Sequence, residues 1–504
     1  MSTTEINPTQ PPASDRSRWI ALVVLCVGML MIVLDQTIVN VALPSIQRDL
    51  KFSTSSLAWV VNAYLIAFGG LLLLAGRLGD LVGRKRIFLS GLALFTAASA
   101  LCGLADSQGL LVGARFVQGA GGALTSSVIL GMIVTMFPEP RDQAKAMGVF
   151  SFVASGGASI GLLAGGVLTQ ALNWHWIFFV NIPIGVLAAL AAVRVVVADE
   201  GIGARAGADL PGATLVTGAL MLAVYTIVKT SDYGWGSART LIGGAVAVAV
   251  LAAFVAREAT ARTPLIPLRI FRSRNVSGAN LVQALMIAGI FGMFFLGAVY
   301  MQQVLGYDPL QVGLAYLPVA LSIGTFSLFV APRLNMSIGP RATLLPGLVL
   351  MAAGLLLFAA APVHAGYVVH LLPVMLLLGV GAGLSFPSLM TIAMSGAAPH
   401  EAGLASGLVN TSMQVGGALG LSVLATLSAS RAKDLLASGS TSAAATAGGL
   451  HLALIIGAGL VIGAIVLAGV VLTPARALGQ APAEVGAERD GAPRVADELY
   501  SQAA

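Results

Sequence analysis

Apolar residues run along this chain in blocks of about twenty, broken by short polar stretches. A block of that length crosses a bilayer core as a helix. Fourteen blocks can be marked, at 19–43, 57–76, 86–105, 110–136, 145–170, 174–197, 210–230, 240–256, 276–302, 311–331, 342–361, 368–395, 404–428 and 450–473. The first begins near Trp19, shows no small-residue cleavage pattern and is followed by more of the same. It reads as a retained spanning helix and not as a removable signal. The expected fold is an all-α polytopic membrane protein, and an even number of spans puts both ends on one side.

Composition supports this. The chain has 504 residues, 57% hydrophobic and 10% charged, where a soluble protein carries about a quarter charged residues. The mean hydropathy is +0.91. Of 27 Lys and Arg residues, twenty fall on the face that carries the N-terminus, six on the other, and Arg115 lies inside a span. The positive-inside rule then places both termini in the cytoplasm. The sequence pI of about 9.5 follows from those loops and does not call for nucleic acid. Cys26 and Cys102, both in apolar runs, make neither a disulfide framework nor a metal site. The Ala- and Gly-rich composition points to a bacterial, GC-rich genome, and the expected location is the bacterial inner membrane.

One stretch departs from the pattern. GRLGDLVGRKR, from Gly76 to Arg86, places Arg77, Asp80, Arg84, Lys85 and Arg86 in the turn between spans two and three. Topology explains the bases but not Asp80, Gly76 or Gly83. The stretch also has an echo. Arg77-Leu78, Val82-Gly83 and Lys85 return as Arg333-Leu334, Ile338-Gly339 and Arg341, 256 residues later. Gly156-Gly157-Ala158 returns as Gly416-Gly417-Ala418, and Gly119 as Gly379, both 260 residues later. Met336 stands where the echo of Asp80 would be. The near-constant offset predicts two six-helix halves with two extra spans between them, a transporter architecture with its substrate site between the repeats. The expected division is a cytoplasmic tail at 1–18, a first half at 19–199, two extra helices at 207–260, a basic linker at 261–275, a second half at 276–473 and a tail at 474–504. The Ala/Gly/Ser-rich external segment 431–448 is expected to be mobile.

An ionisable residue inside a bilayer marks function by default. Of 21 carboxylates, only Asp35 sits well inside a span, and Arg115 is the only base to do so. At about 1.5 Å per residue, Asp35 lies roughly 13 Å below the outer surface if span one ends at Pro44. By the same rise Arg115 lies roughly 8 Å deep. They meet if spans one and four face each other. Asp35 is then the candidate proton site and Arg115 its tuning partner, against the alternative of a fixed pair that only locks the fold. Gly157, Gly161 and Gly165 recur every four residues in span five, with Gly166 beside them, and let two helices touch backbone to backbone. Asn40, Gln118, Gln283, Asn410 and Gln414 are polar groups in spans and candidate substrate contacts, with inter-helix bonding as the other reading. Trp174 and Trp176 are expected as interface anchors. His175, His364 and His451 are expected to be solvated.

At these residues the chain resembles a family. Gly76–Arg86 resembles the signature loop of the major facilitator superfamily. Leu34-Asp35-Gln36-Thr37-Ile38-Val39-Asn40-Val41-Ala42-Leu43-Pro44, Arg115-Phe116-Val117-Gln118-Gly119 and the run from Trp174 to Gly185 resemble motifs of its 14-helix drug:proton antiporter branch (the EmrB/QacA subfamily). The likeness runs to about residue 473. It implies a monomeric, proton-coupled exporter of drugs or toxic amphipathic molecules, cations among them, that works by alternating access. Its partners are the bilayer, protons and a small-molecule substrate. It needs no cofactor beyond the proton gradient. It also implies that Asp80 caps a neighbouring helix end or pairs with an arginine, even across the halves, in a loop that gates the transition. One position departs: the branch's fifth-helix motif carries a proline where Leu162 stands, which puts its antiport-specific seal in doubt. A selective exporter, or an uncoupled facilitator of a metabolite or lipid, is the alternative. A membrane enzyme or receptor is remote, since the chain shows neither a Walker A sequence nor an HExxH pair.

Overall fold

The computed structural model describes residues 15–199, 201, 203, 209–262, 264–395 and 402–473. Among them the chain is helical and contains no strand. Lipid offers no partner to a backbone amide, so each spanning segment must close its own hydrogen bonds. The first half holds α1 (Asp15–Leu50), α2 (Thr54–Val82), α3 (Arg84–Gly103), α4 (Gln108–Met136), α5 (Pro140–Ala171), α6 (Trp176–Phe179) and α7 (Asn181–Val195). A hairpin of α8 (Leu210–Tyr233) and α9 (Ala238–Thr260) follows. The second half holds α10 (Arg274–Gln303), α11 (Pro309–Thr325), α12 (Ala331–Ser337), α13 (Pro340–Ala359), α14 (Leu372–Ser395), α15 (Ala402–Ala437) and α16 (Ser442–Val471). Thirteen helical stretches are long and apolar enough to cross a membrane, with α6–α7 and α11–α12 each serving as one. The 32-residue α5 is the fourteenth.

The internal repeat is visible in the packing. A β-carbon on Gly121 would lie 3.0 Å from the Gly91 carbonyl oxygen, and one on Gly381 would lie 2.6 Å from that of Gly347. Contact this close is open only to glycine. The turn glycines Gly83 and Gly339 both take positive φ, +108° and +90°. The halves meet where α2 packs on α15 and α5 on α11. Asn62 Nδ2 donates to Ser422 Oγ at 2.8 Å. Near the face opposite the start of α1, Gln302 Nε2 donates to the Val41 carbonyl at 2.9 Å and Gln303 Nε2 to Gln47 Oε1 at 3.0 Å. On that far face Gly166 also packs against Leu310. α8 wedges against both α2 and α15, while α9 turns Leu241, Ile242 and Val248 outward.

Two expectations need correction. α1 does not end at Pro44 but runs six residues further, to Leu50. A proline removes one backbone bond, and the Arg48 side chain closes back on the Pro44 carbonyl at 3.3 Å. The segment 431–448 is not a loose loop. α15 continues to Ala437 and α16 begins at Ser442, with a tight turn at Gly439, φ +90°. Its alanines favour helix once the flanking helices have nucleated it. At Leu162, α5 runs on without interruption, and the Leu162 carbonyl packs on Gly313 of α11, 2.6 Å from where a β-carbon there would sit. The neighbouring Gly157-Ala158-Ser159-Ile160-Gly161 has G-x-S-x-G spacing, but it lies mid-helix and not at the strand-to-helix turn a nucleophile needs.

Candidate functional site

Asp35 and Arg115 meet. Arg115 Nη1 donates to Asp35 Oδ2 at 2.6 Å, and both residues are buried, at 1% and 0% exposure. Asp35 Oδ1 accepts from Gln118 Nε2 at 2.8 Å and from Asn181 Nδ2 at 3.0 Å. Arg115 also donates through Nε to the Val60 carbonyl at 2.9 Å and through Nη1 to Gln118 Oε1 at 2.7 Å. Its guanidinium lies 4.5 Å from the Tyr64 ring centroid and 5.7 Å from that of Phe178. Ser99 Oγ accepts from both Gln118 and Asn181. One cluster thus joins α1, α2, α3, α4, α6 and α7.

Local structure explains why these side chains converge. Span six is interrupted at Val180 between α6 and α7. Phe178 closes one side of the break against Arg115, and Asn181 opens the other toward Asp35. Close helix approach does the rest: Gly161 of α5 presses on Leu34 of α1, beside Asp35, and Gly119 of α4 on the Tyr64 carbonyl of α2. A buried ion pair is tolerated only when its remaining donors and acceptors are met. Here three donors meet the carboxylate. The arrangement holds both charges inside the fold with their hydrogen bonds met.

The loop Gly76–Arg86 takes one of the two arrangements expected for Asp80, the pairing with an arginine, and takes it within the first half. Asp80 pairs with Arg84 at 3.2 Å, one turn away, and caps no helix. The acid that caps α3 is Asp199, which accepts the backbone N–H of Arg84 at 2.9 Å and of Lys85 at 3.1 Å. Arg84 also reaches the Gly131 carbonyl and Lys85 the Val193 carbonyl. These partners all lie in the first half. Gly83 is required twice: its φ is positive, and a β-carbon there would sit 2.7 Å from the Asp199 carbonyl oxygen. Arg86 is exposed, and Gly76 packs loosely, 3.9 Å from Ser127 by the same construction.

The candidate substrate contacts divide. Gln118 belongs to the Asp35 cluster. Asn40 turns back to its own helix, on the carbonyls of Gln36 and Thr37. Asn410 is half-buried on α15. Gln283 Oε1 and both amide atoms of Gln414 are buried without a hydrogen-bond partner. Gly157, Gly161 and Gly165 face Leu30, Leu34 and Ile38 of α1, so that glycine face seats α1 within its own half, and only Gly166 reaches across to Leu310. Trp174 is no interface anchor: it is 3% exposed and its Nε1 donates to Asp49 at 2.8 Å. Trp176 is 45% exposed. His175 is bonded to the Gly103 carbonyl at 2.9 Å and His451 to the Ala361 carbonyl at 2.9 Å, so neither is freely solvated. His175 and Trp176 line a cavity of about 560 Å³ on the far face, with Asp49, Asp106 and Phe179. Asn181, Ser99, Tyr64 and Asp199 received no role from the sequence. Asn181 lay within a quoted motif, and an amide in so apolar a run was the available signal.

Comparison with known proteins gives the family. The model of the Major Facilitator Superfamily matches residues 25–421. The puromycin resistance protein pur8 of Streptomyces alboniger is 41% identical, over 86% of this chain and 86% of its own. The cephamycin export protein CmcT of Amycolatopsis lactamdurans is 39% identical, over 81% of this chain and 85% of its own. Among solved structures, a bacterial homologue of the human lysosomal transporter Spinster superposes with a TM-score of 0.66 at 15% identity, covering 90% of this chain and 97% of that one. At that identity the likeness speaks for the fold alone. Two glycine-packed halves, the loop between α2 and α3 and these matches agree: the chain belongs to the Major Facilitator Superfamily and is a multi-pass membrane transporter of small molecules.

Proposed function

We propose that the chain is a proton-driven exporter of amphipathic drugs or toxic small molecules, cations among them, of the 14-helix drug:proton antiporter branch. It works as a monomer in the bacterial inner membrane, with the start of α1 on the cytoplasmic side. The observation that carries this is the buried cluster of Asp35, Arg115, Gln118 and Asn181. The relatives named for puromycin resistance, cephamycin export and tetracenomycin C resistance and export support the substrate class. No cofactor enters the scheme; the proton gradient drives it.

In this scheme Asp35 takes a proton when the cycle opens it to the outside and releases it inside. Arg115 holds the charged form, and its bond to the Val60 carbonyl keeps it in place when Asp35 is neutral. Gln118 and Asn181 report the change to α4 and α7. Gln283 and Gln414, with unmet amide atoms in the second half, are the proposed substrate contacts. Substrate and proton favour different arrangements of the halves, which is all that alternating access requires. Everted vesicles with an imposed proton gradient and a pH-sensitive dye test the scheme. Puromycin or a lipophilic cation should release protons with wild type and not with Asp35→Asn, an isosteric change. Equal release by both would leave Asp35 as a structural residue.

A further inference from the structure

The hairpin α8–α9 has no counterpart in the repeat, and its root on the near face holds two carboxylates that the transport scheme leaves unused. Asp209 caps α8 and is 2% exposed; Glu258, in the last turn of α9, is 3% exposed. Asp209 is well supplied. Its Oδ1 accepts the Gly212 N–H at 3.1 Å and Arg257 Nε at 3.1 Å, and its Oδ2 lies 3.4 Å from the same Nε. Glu258 is supplied by the linker backbone at Ile266 and Leu265. Its Oε2 accepts the Ile266 N–H at 2.8 Å, while its Oε1 is buried with no partner.

That oxygen is turned toward Asp209. A β-carbon on Gly212 would lie 2.8 Å from Glu258 Oε1 and 2.7 Å from Asp209 Oδ2. Both oxygens therefore border the same small space beside Gly212. The charged groups bearing on Glu258 are Asp209 and the partly exposed Arg257 guanidinium. Two anions against one cation leave a net charge out of water, and a buried carboxylate in that position takes up a proton instead. Carboxylates that share a site do not both ionise readily.

We propose that Asp209 and Glu258 hold one proton between them, bound to Glu258 Oε1 and donated to Asp209 Oδ2, so that the inserted hairpin carries a proton-binding site separate from Asp35. The proton satisfies the orphaned oxygen and leaves Arg257 to balance Asp209. It also keeps Glu258 Oε2 as the acceptor for Ile266. That residue belongs to the linker into the second half and packs with Leu265, Phe254 and Leu74 of α2. Leu74 lies just ahead of the loop Gly76–Arg86. Loss of the proton sets two like charges on either side of Gly212 and loosens the linker from α2. The site does not depend on what is exported or on whether Asp35 couples it.

Infrared spectroscopy of the purified full chain in lipid vesicles tests the proposal. Titration from neutral to alkaline pH should remove a protonated-carboxyl band in wild type and equally in Asp35→Asn. The band should be missing throughout in Glu258→Gln, whose amide can still donate to Asp209. Asp209→Asn, which keeps an acceptor for the α8 cap, should shift or remove it as a second variant. Transport by Glu258→Gln should hold up at alkaline pH, where wild type declines at least severalfold. A band that survives unchanged in both Glu258→Gln and Asp209→Asn would show both groups ionised and overturn the shared proton. So would a band lost only with Asp35.

Discussion

The two halves share a backbone plan and differ in what fills it. In the first, α1, α4 and α7 are tied by Asp35, Arg115 and Asn181. In the second, Gly416 and Gly420 press on Ala284 and Ala288 as Gly157 and Gly161 press on Leu30 and Leu34, and no charge among the described residues sits beside those contacts. Gly289 meets Gly457 of α16 backbone to backbone; a β-carbon on it would lie 2.6 Å from the Gly457 carbonyl oxygen. Met375, 260 residues after Arg115, is buried and apolar. One half ties these helices with a buried ion pair and two amides, the other with glycine contacts.

The comparison breaks first at Arg115. Arg115→Met should destabilise the protein by about 3–5 kcal/mol, because Asp35 is left charged and buried. Adding Asp35→Met copies the apolar logic of the second half and should restore most of that loss in thermal unfolding, with proton-coupled transport still absent. A double variant as unstable as the single one would mean that the halves differ in shape and not in charge. Gly289→Ala attacks the other half and should cost about 1–3 kcal/mol by overpacking against α16. Transport should fall with folded protein and not beyond it. Effects of the same order or smaller belong to the turn glycines. Alanine in either of these conformations, φ +108° with ψ 131° or φ +90° with ψ 153°, costs on the order of 1–3 kcal/mol of backbone strain. Gly83→Ala should exceed Gly339→Ala, since its β-carbon meets the Asp199 carbonyl while Gly339 faces open space. Equal losses at the two turns would remove any special role for Asp199.

Much of this was legible in the sequence, and what was hidden follows a rule. Asp35 and Arg115 stood out because charges inside apolar blocks are rare, and the two found each other. Ser99 and Asn181 did not stand out, because uncharged polar residues are common in these helices and only the fold selects among them. Asp199 looked like any loop acid; its task depends on where the turn at Gly83 brings α3. Asp209 and Glu258 sat at helix ends, where carboxylates are ordinarily wet. Folding of the linker over the hairpin root buries them, and no local pattern announces that. Pro44 and the segment 431–448 misled for a related reason: proline and small residues signal breaks in water, and long membrane helices carry both.

The far-face seam between the halves consists of glutamine amides, a carbonyl and glycine contacts, without an ion among the bonds described above. The loop on the near face is held by Asp80 with Arg84, by Asp199 and by the Lys85 ammonium. Dissolved salt screens exposed charges over about 8 Å at physiological ionic strength and leaves neutral amides untouched. Ionic strength is therefore a one-sided handle on this molecule. Raising it loosens the near-face loop, whose partners named above all lie in the first half, while the seam that joins the two halves on the opposite face keeps its grip.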